Sequence, residues 1–312
     1  MNQFFEKYPL PIAGLMLGLA AAGNLVQSYG EVYRYILGTI SAILLIIMVI
    51  KILMDQDGFK DNLDNPVVAS VFPTFSMGIM LLSTYLKPFA PSLAFRAWII
   101  GVSLHIILII WFTKKYTLHF KIRQTFPSWF VVYVGIVVAS VTGPLYKMAT
   151  LGQYAFWFGF ATYLILLPIV SYRVLKIKEM PEPALPTLAI FAAPASLLLA
   201  GYMNSFETKN MAMVWFLIIL SIIMYVLVII MLSKLLKLKF YPSYSSFTFP
   251  LVISGIAMKL TNGFLIKTNQ AIPSLQYLIK FQEIVGVSMT LYVLYKYFKF
   301  LTIKDSQAVK KS

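Results

Sequence analysis

The sequence predicts an all-α polytopic membrane protein, and three observations lead to this fold class. Of its 312 residues, 60% are hydrophobic and 12% are charged, whereas ordinary globular domains carry about 25% charged residues. The mean hydropathy of +0.81 leaves too little polar surface to cover a water-soluble particle. The apolar residues also occur in runs of about 20, the length that a helix needs to cross a bilayer. Disordered, coiled-coil and small secreted classes are therefore excluded.

Ten such runs predict ten transmembrane helices, numbered here as spans 1 to 10 in chain order. The runs are longer than barrel strands and contain few charges, which favours helices. Glu6 and Lys7 precede the first run in place of the basic segment of a signal peptide, and no small-residue cleavage site follows a short apolar core. We therefore interpret that run as a retained span. The spans cover residues 10–28, 32–54, 67–86, 93–112, 129–147, 151–175, 185–202, 211–235, 247–264 and 275–298.

The odd-numbered spans differ from the even-numbered ones. They start near residues 10, 67, 129, 185 and 247, and this regular spacing predicts one transmembrane domain, 1–312, built from five helical hairpins. Odd spans carry Gly, Ser and Thr, whose small side chains permit close approach of helix backbones. They also carry Pro, which frees backbone carbonyls that are tolerated only inside protein or beside water. Even spans consist mainly of Leu, Ile, Val and Met. Either the odd spans simply pack in the bundle centre, or five inner helices surround an axial conduit and five outer helices face lipid.

Basic residues predict the orientation in the membrane. Lys and Arg total 26 against 11 acidic residues. Eighteen of the 26 fall at the termini and in the loops that follow even spans, and eight fall on the opposite side. The positive-inside rule then places both termini on the cytoplasmic side of the membrane. The expected membrane is the plasma membrane, which for a bacterium is the inner membrane. Basic loops between apolar runs serve topology and contact with lipid, so no nucleic-acid partner is expected.

Catalytic and metal-binding chemistry is missing from the sequence. There are no cysteines and only two histidines, and no phosphate-binding loop or metal motif occurs. We therefore expect no enzyme activity, no catalytic residue, no cofactor and no metal site. His105 lies in span 4 and is expected to be a hydrogen-bonded core residue.

Three ionisable residues within or beside the spans leave alternatives open. Glu283 is expected to cap a helix or pair with Lys280 near an interface, and the alternative is a role in proton coupling. Lys147 and Lys259 lie in the later parts of spans 5 and 9. Each could extend its amine to the membrane interface or contribute positive charge to a vestibule that attracts anions.

Motifs in the odd spans resemble one family of membrane proteins. Each motif lies at or near the start of an odd span, and their order and intervals match across the whole chain. The family comprises the tellurite-resistance protein TehA, the slow-type (SLAC-type) plant anion channels and C4-dicarboxylate transporters. The motifs are Tyr8-Pro9-Leu10-Pro11 with Gly14 and Gly18, Phe72-Pro73-Thr74, Pro127-Ser128-Trp129-Phe130, Thr187 to Ala195 with Pro194, and Ser246-Phe247-Thr248-Phe249-Pro250.

The resemblance implies an arrangement and a set of pore residues. It implies a homotrimer in which each subunit has five hairpins in quasi-five-fold arrangement, with the odd helices lining a central pore. Phe249 matches the phenylalanine that plugs the pore. Phe247 would face about 200° away on an ideal helix, so only one of the two can point down the axis, and Phe249 is preferred. Gly14 matches a glycine beside the conduit, and the expected kink positions are Pro73, Pro194 and Pro250.

The functions implied are therefore forms of anion transport. The leading prediction is a channel that passes small monovalent anions through a pore closed by Phe249. The alternative is a carrier of C4-dicarboxylate, sulfite or tellurite-type anions, with or without proton coupling. A membrane scaffold without transport is a third class, but it would not explain why five spans share pore-compatible residues.

Overall fold

A computed structural model describes residues 3–302, with the side chains of residues 5–302. Over this range the secondary structure is helical, without strands, as predicted. Nine helices in the described part are long and apolar enough to cross a membrane. The predicted class, an all-α polytopic membrane protein, is confirmed.

The even spans are long helices of 22 to 28 residues. Uninterrupted runs of Leu, Ile and Met favour such helices, and at 1.5 Å per residue even the shortest reaches across a bilayer core. Pro168 lies within span 6 and does not end it. Their bounds are Glu31–Met54, Pro91–Phe112, Ala149–Tyr172, Met211–Leu235 and Leu275–Thr302.

Four of the odd spans are shorter or interrupted. Span 1 is the helix Ile12–Val26, and span 3 combines the helices Pro66–Val71 and Thr74–Leu86. Span 7 is a 3-10 segment, Glu182–Ala192, followed by the α-helix Ala193–Ser205. Span 9 is a 3-10 segment, Pro242–Phe247, followed by the α-helix Phe249–Lys267. Three of the breaks coincide with Pro73, Pro194 and Pro250. Proline lacks an N–H and has a preset φ, so it is tolerated in the first turn of a helix rather than in its interior.

Span 5 is not one long helix. It runs as short helical pieces, Trp129–Tyr133, Gly135–Val137, Val138–Thr142 and Gly143–Tyr146. The sequence from 131 to 144 is rich in β-branched valines and also contains Gly135, Gly143 and Pro144, all poor helix formers. This accounts for the difference between the ten continuous helices predicted and the nine long helices among residues 3–302.

Burial separates the two classes of span. In spans 1, 3, 7 and 9, between 61% and 89% of the most apolar window is buried, against 22% to 33% in the even spans. Span 5 is also buried, with Trp129, Val132 and Val137 almost fully covered. Large exposed apolar side chains are concentrated on the even spans, for example Ile46, Ile107 and Ile230. The odd spans are thus inside and the even spans outside.

The five inner spans form a closed ring of contacts. Span 1 contacts span 3, span 3 contacts span 5, span 5 contacts span 7, span 7 contacts span 9, and span 9 returns to span 1. Each even span packs against the odd span that precedes it, as expected for hairpins.

Buried side chains link these helices through backbone carbonyls. The Ser41 hydroxyl donates to the Met16 carbonyl at 2.6 Å, and the Tyr85 hydroxyl donates to the Ala20 carbonyl at 2.5 Å. Such bonds satisfy polar groups that have no access to water in the bilayer.

Candidate functional site

An apolar cavity lies among the five inner spans and is called the first cavity. Each of the five odd spans contributes to its wall, and no even span does. It has a volume of about 40 Å³. Its lining comprises Gly14 from span 1, Val71, Thr74 and Met77 from span 3, Phe130, Val131, Val134 and Gly135 from span 5, Ile190, Ala193, Pro194 and Leu197 from span 7, and Ser245, Ser246, Phe249 and Pro250 from span 9.

A second cavity, of about 190 Å³, is enclosed by the later parts of the same five spans. Its wall is mostly apolar, with two amide side chains, Asn24 and Asn204. The lining consists of Ala21, Asn24, Leu81, Val138, Val141, Leu197, Asn204, Phe249, Ile253, Ile256 and Leu260. The two cavities therefore follow one another along the axis of the inner bundle.

Phe249 and Leu197 line both cavities. A side chain that belongs to two neighbouring cavities forms part of the partition between them. Phe249 is 5% exposed and Leu197 is 2% exposed, so the partition is tightly packed. Together they form an apolar barrier at the point where the two cavities meet.

The backbone around Thr248 fixes the position of Phe249. The segment Pro242–Phe247 ends, Thr248 adopts φ −95° and ψ −88°, and the α-helix starts at Phe249. The Thr248 hydroxyl donates to the Gly14 carbonyl at 2.9 Å and to the Ser245 carbonyl at 2.7 Å. Because Gly14 belongs to span 1, this hydroxyl ties the start of the span 9 helix to the first inner helix.

Phe247 lies elsewhere. Its ring is fully buried and packs against Tyr244, with the ring centroids 4.8 Å apart. It is not among the residues that line either cavity. Of the two phenylalanines, Phe249 is the one that faces the cavities, while its role as a gate stays a prediction.

Not all of the other predicted pore residues lie in the wall of the first cavity. Gly14, Pro194 and Pro250 line the first cavity, and their role in a pore stays a prediction. Pro73 does not line it but stands at the break in span 3, directly before the lining residue Thr74.

The two predicted vestibule lysines lie away from the cavity walls. Lys259 Nζ is 2.9 Å from Glu283 Oε1 and also donates to the Leu25 carbonyl and the Ser28 hydroxyl. Lys147 is exposed at the end of span 5, in a left-handed conformation with φ 59°. Neither residue lines the first or second cavity, and a vestibule role for them stays a prediction.

Glu283 pairs with two basic side chains, one of which is the Lys280 expected from the sequence. Its carboxylate accepts from Lys259 and from the Tyr29 hydroxyl at 2.5 Å, and Lys280 Nζ lies 3.5 Å away. The Lys280 amine also contacts the Tyr29 hydroxyl. These groups join the turn after span 1 to spans 9 and 10.

His105 is a core residue. Its ring is fully buried, with Nδ1 2.8 Å from the Ser76 hydroxyl and Nε2 3.1 Å from the Val132 carbonyl. The imidazole thus bridges spans 3 and 5 from span 4, which satisfies both ring nitrogens.

Arg34 is a positive group beside the second cavity that the sequence analysis did not single out. Its side chain is buried, and its Nε donates to Asn24 Oδ1 at 3.0 Å while Nη2 donates to the Thr84 carbonyl at 3.2 Å. Glu31 lies 3.6 Å away but is half exposed. Since Asn24 lines the second cavity, Arg34 holds a cationic charge one residue behind its wall.

The walls of both cavities consist of uncharged side chains. No acidic side chain lines either cavity. Within the described range, no group of three or more His, Cys, Asp or Glu side chains is arranged to hold a metal ion. Sequence reasoning did not identify Leu197 and Asn204 as lining residues and named Ser246 only as part of the motif in span 9, because the side of a helix that faces a cavity depends on how the other helices pack around it.

Comparison with known proteins agrees with this description. A polytopic helical protein whose inner helices enclose axial cavities is of the class that moves solutes across membranes. The family model described as voltage-dependent anion channel (SLAC1) matches residues 8–297. An uncharacterized transporter of Methanocaldococcus jannaschii is 23% identical over an alignment of 241 residues, and the match covers 67% of each chain. This chain belongs to the voltage-dependent anion channel family, a family of anion channels and transporters.

Proposed function

We propose that this protein is a passive anion channel in which the five odd spans, in quasi-five-fold arrangement, surround a pore closed by Phe249. The observation that carries the proposal is the position of Phe249 between two cavities that are each lined by all five odd spans. An aromatic ring in a narrow apolar passage excludes water and so imposes a desolvation barrier on an ion.

The charge distribution supports an anion as the permeant species. Arg34 stands beside the second cavity, and the chain carries a formal net charge of +15. A positive potential raises the local concentration of anions. The cavity walls hold no acidic group that would repel them and no lysine or arginine that would retain them, so weak binding favours throughput. Larger, weakly hydrated anions should then pass best.

Opening would require the Phe249 ring to leave the partition. The second cavity is the larger of the two and borders the ring, so it offers space into which a rotated ring can move. Leu197 remains as the second apolar residue of the partition and would limit leakage when the ring is in place.

The test is electrical and uses Phe249→Ala. Removing the ring should raise anion current about tenfold or more, because each ~1.4 kcal/mol removed from a barrier is a factor of ten in rate. Wild type, Phe249→Ala and Phe158→Ala would be compared in planar bilayers at equal protein density, with asymmetric chloride. Phe158 is a matched control because it is an exposed ring on span 6, remote from both cavity walls, and its removal should leave the current unchanged.

The same recordings separate a channel from a carrier. Reversal potentials that follow the chloride gradient at two pH values support the channel. Electrical silence of both wild type and Phe249→Ala, with pH-dependent uptake of labelled dicarboxylate or sulfite into vesicles, would reject the channel in favour of the carrier. The homotrimer implied by the family resemblance would be tested by the mass of the purified protein in detergent.

A further inference from the structure

Two serine side chains in the wall of the first cavity have hydrogen-bonding capacity that the fold does not use. Ser246 is 5% exposed, lines the cavity, and its hydroxyl has no hydrogen-bond partner. Buried hydroxyls are normally bonded, and an unused one costs free energy, so each exception calls for an explanation. A donor held in the wall of an ion pathway can be explained by a ligand that it binds.

Two other hydroxyl side chains, those of Thr74 and Ser245, line this wall. The Thr74 hydroxyl donates to the Val71 carbonyl at 2.8 Å. The Ser245 hydroxyl, like that of Ser246, is buried without a hydrogen-bond partner, but it is packed against Gly14 of span 1, where an added Cβ would lie 2.9 Å from it. Ser245 and Ser246 are therefore the two lining hydroxyls with uncommitted donors, and Ser246 is the one nearer in the chain to Phe249, in a wall that is otherwise almost entirely apolar.

The backbone adds a second feature that favours an anion. The 19-residue helix Phe249–Lys267 begins three residues after Ser246, and its first two residues line the same cavity. The N-terminal end of a helix carries partial positive charge and attracts anions. Ser246 thus combines a free donor with a favourable field, on the side of Phe249 opposite to Arg34 and the second cavity.

We propose that Ser246 coordinates a partly dehydrated inorganic anion in the first cavity, immediately before the Phe249 barrier, and so contributes to selectivity. The inference rests on the anion pathway proposed above. A hydroxyl donor replaces lost water better for a small, strongly hydrated anion such as chloride than for nitrate, whose charge is spread over three oxygens. Ser246 therefore offsets part of the preference for weakly hydrated anions that an apolar pore would otherwise have.

The test measures the permeability ratio of nitrate to chloride from bi-ionic reversal potentials, in the Phe249→Ala background. Such a ratio does not depend on expression level or on the number of open channels. Ser246→Ala should raise the ratio about threefold or more, since it removes a hydrogen bond to a charged group. Ser246→Cys keeps the volume but is a weak donor, and it should shift the ratio in the same direction.

Ser221→Ala provides the matched control. Ser221 is also buried, but it lies on an outer span and its hydroxyl donates to Ile218 within its own helix, so its removal should leave the ratio unchanged. An unchanged ratio in both Ser246 variants, with anion current still present, would overturn the coordination site and leave the channel standing.

Absence of anion current in Phe249→Ala would count against the channel itself. A binding measurement would then decide whether Ser246 coordinates an anion. Chloride-35 NMR line broadening by the purified wild-type protein should be reduced in Ser246→Ala and retained in Ser221→Ala. Equal broadening in all three proteins would overturn the site.

Discussion

Gly18 is the residue at which the close approach of spans 1 and 9 is most demanding. A Cβ atom placed there would overlap the Thr248 hydroxyl and Cβ. Thr248 in turn donates to the Gly14 carbonyl and immediately precedes Phe249. The absence of a side chain at one glycine therefore permits the contact that positions the partition between the two cavities.

Gly18→Ala is expected to lower the free energy of unfolding by about 1–3 kcal/mol, the usual cost of overpacking a filled core. Thermal unfolding of the purified protein in detergent would measure this. Gly263→Ala is the matched control, since nothing lies within 4 Å of a Cβ at that position and alanine is the better helix former. Equal stability of Gly18→Ala and wild type would show that span 1 does not press on Thr248.

At the scale of the elements, the inner spans are shorter or interrupted helices and the outer spans are continuous ones. Inner spans contain breaks at Pro73, Pro194 and Pro250 that bring helix ends into the middle of the bundle. Outer spans are continuous and turn large apolar residues outward. Spans 9 and 10 are additionally joined by an ion pair, Lys259 with Glu283, at 2.9 Å.

Glu283→Gln tests whether that ion pair is structural. Glu283 is 5% exposed, and removing its charge leaves Lys259 without its anion. We expect the free energy of unfolding to fall by about 1–3 kcal/mol, less than for a fully buried pair because Lys259 is partly hydrated. Reversal potentials should remain independent of pH, since the pair lies outside both cavity walls.

The control for Glu283→Gln is Asp57→Asn. Asp57 pairs with Lys60 at 3.1 Å, and both side chains are largely exposed, so little change in stability is expected. If wild type shows pH-driven uptake and Glu283→Gln abolishes it while remaining folded, the residue couples protons and the carrier is the correct function.

For the whole molecule, the main open prediction concerns orientation. Eighteen of the 26 basic residues lie on the side predicted to be cytoplasmic. The chain has no cysteine, so single cysteines can be introduced without background. In intact cells, Asp61→Cys, in the short helix Gln56–Asn62 that connects spans 2 and 3, should be protected from a membrane-impermeant maleimide. Gln270→Cys, between spans 9 and 10, should be labelled. Both positions are exposed, and the reversed pattern would invert the topology.

Individual residues illustrate how far prediction from sequence extended to the site. Gly14 was expected beside the conduit, Pro194 and Pro250 were expected at kinks of the inner helices, and all three line the first cavity. Phe249 was preferred over Phe247 on family resemblance, and its contact with both cavities agrees with that preference. Leu197, the second residue of the partition, was not anticipated. A leucine among leucines and alanines has no sequence signal, since its orientation follows from the packing of four other helices.

The amino-acid sequence by itself determined the membrane class, the positions of most spans and the contrast between inner and outer helices. These properties follow from local quantities: hydrophobicity summed over about 20 residues, the distribution of small residues and prolines, and the spacing of the repeats. Only the tertiary structure decided that span 5 breaks into short turns, that two cavities meet at Phe249 and Leu197, and that Ser246 keeps an unused donor. The physical reason is that these features depend on contacts between segments far apart in the chain, such as Gly14 with Thr248, which no local pattern records.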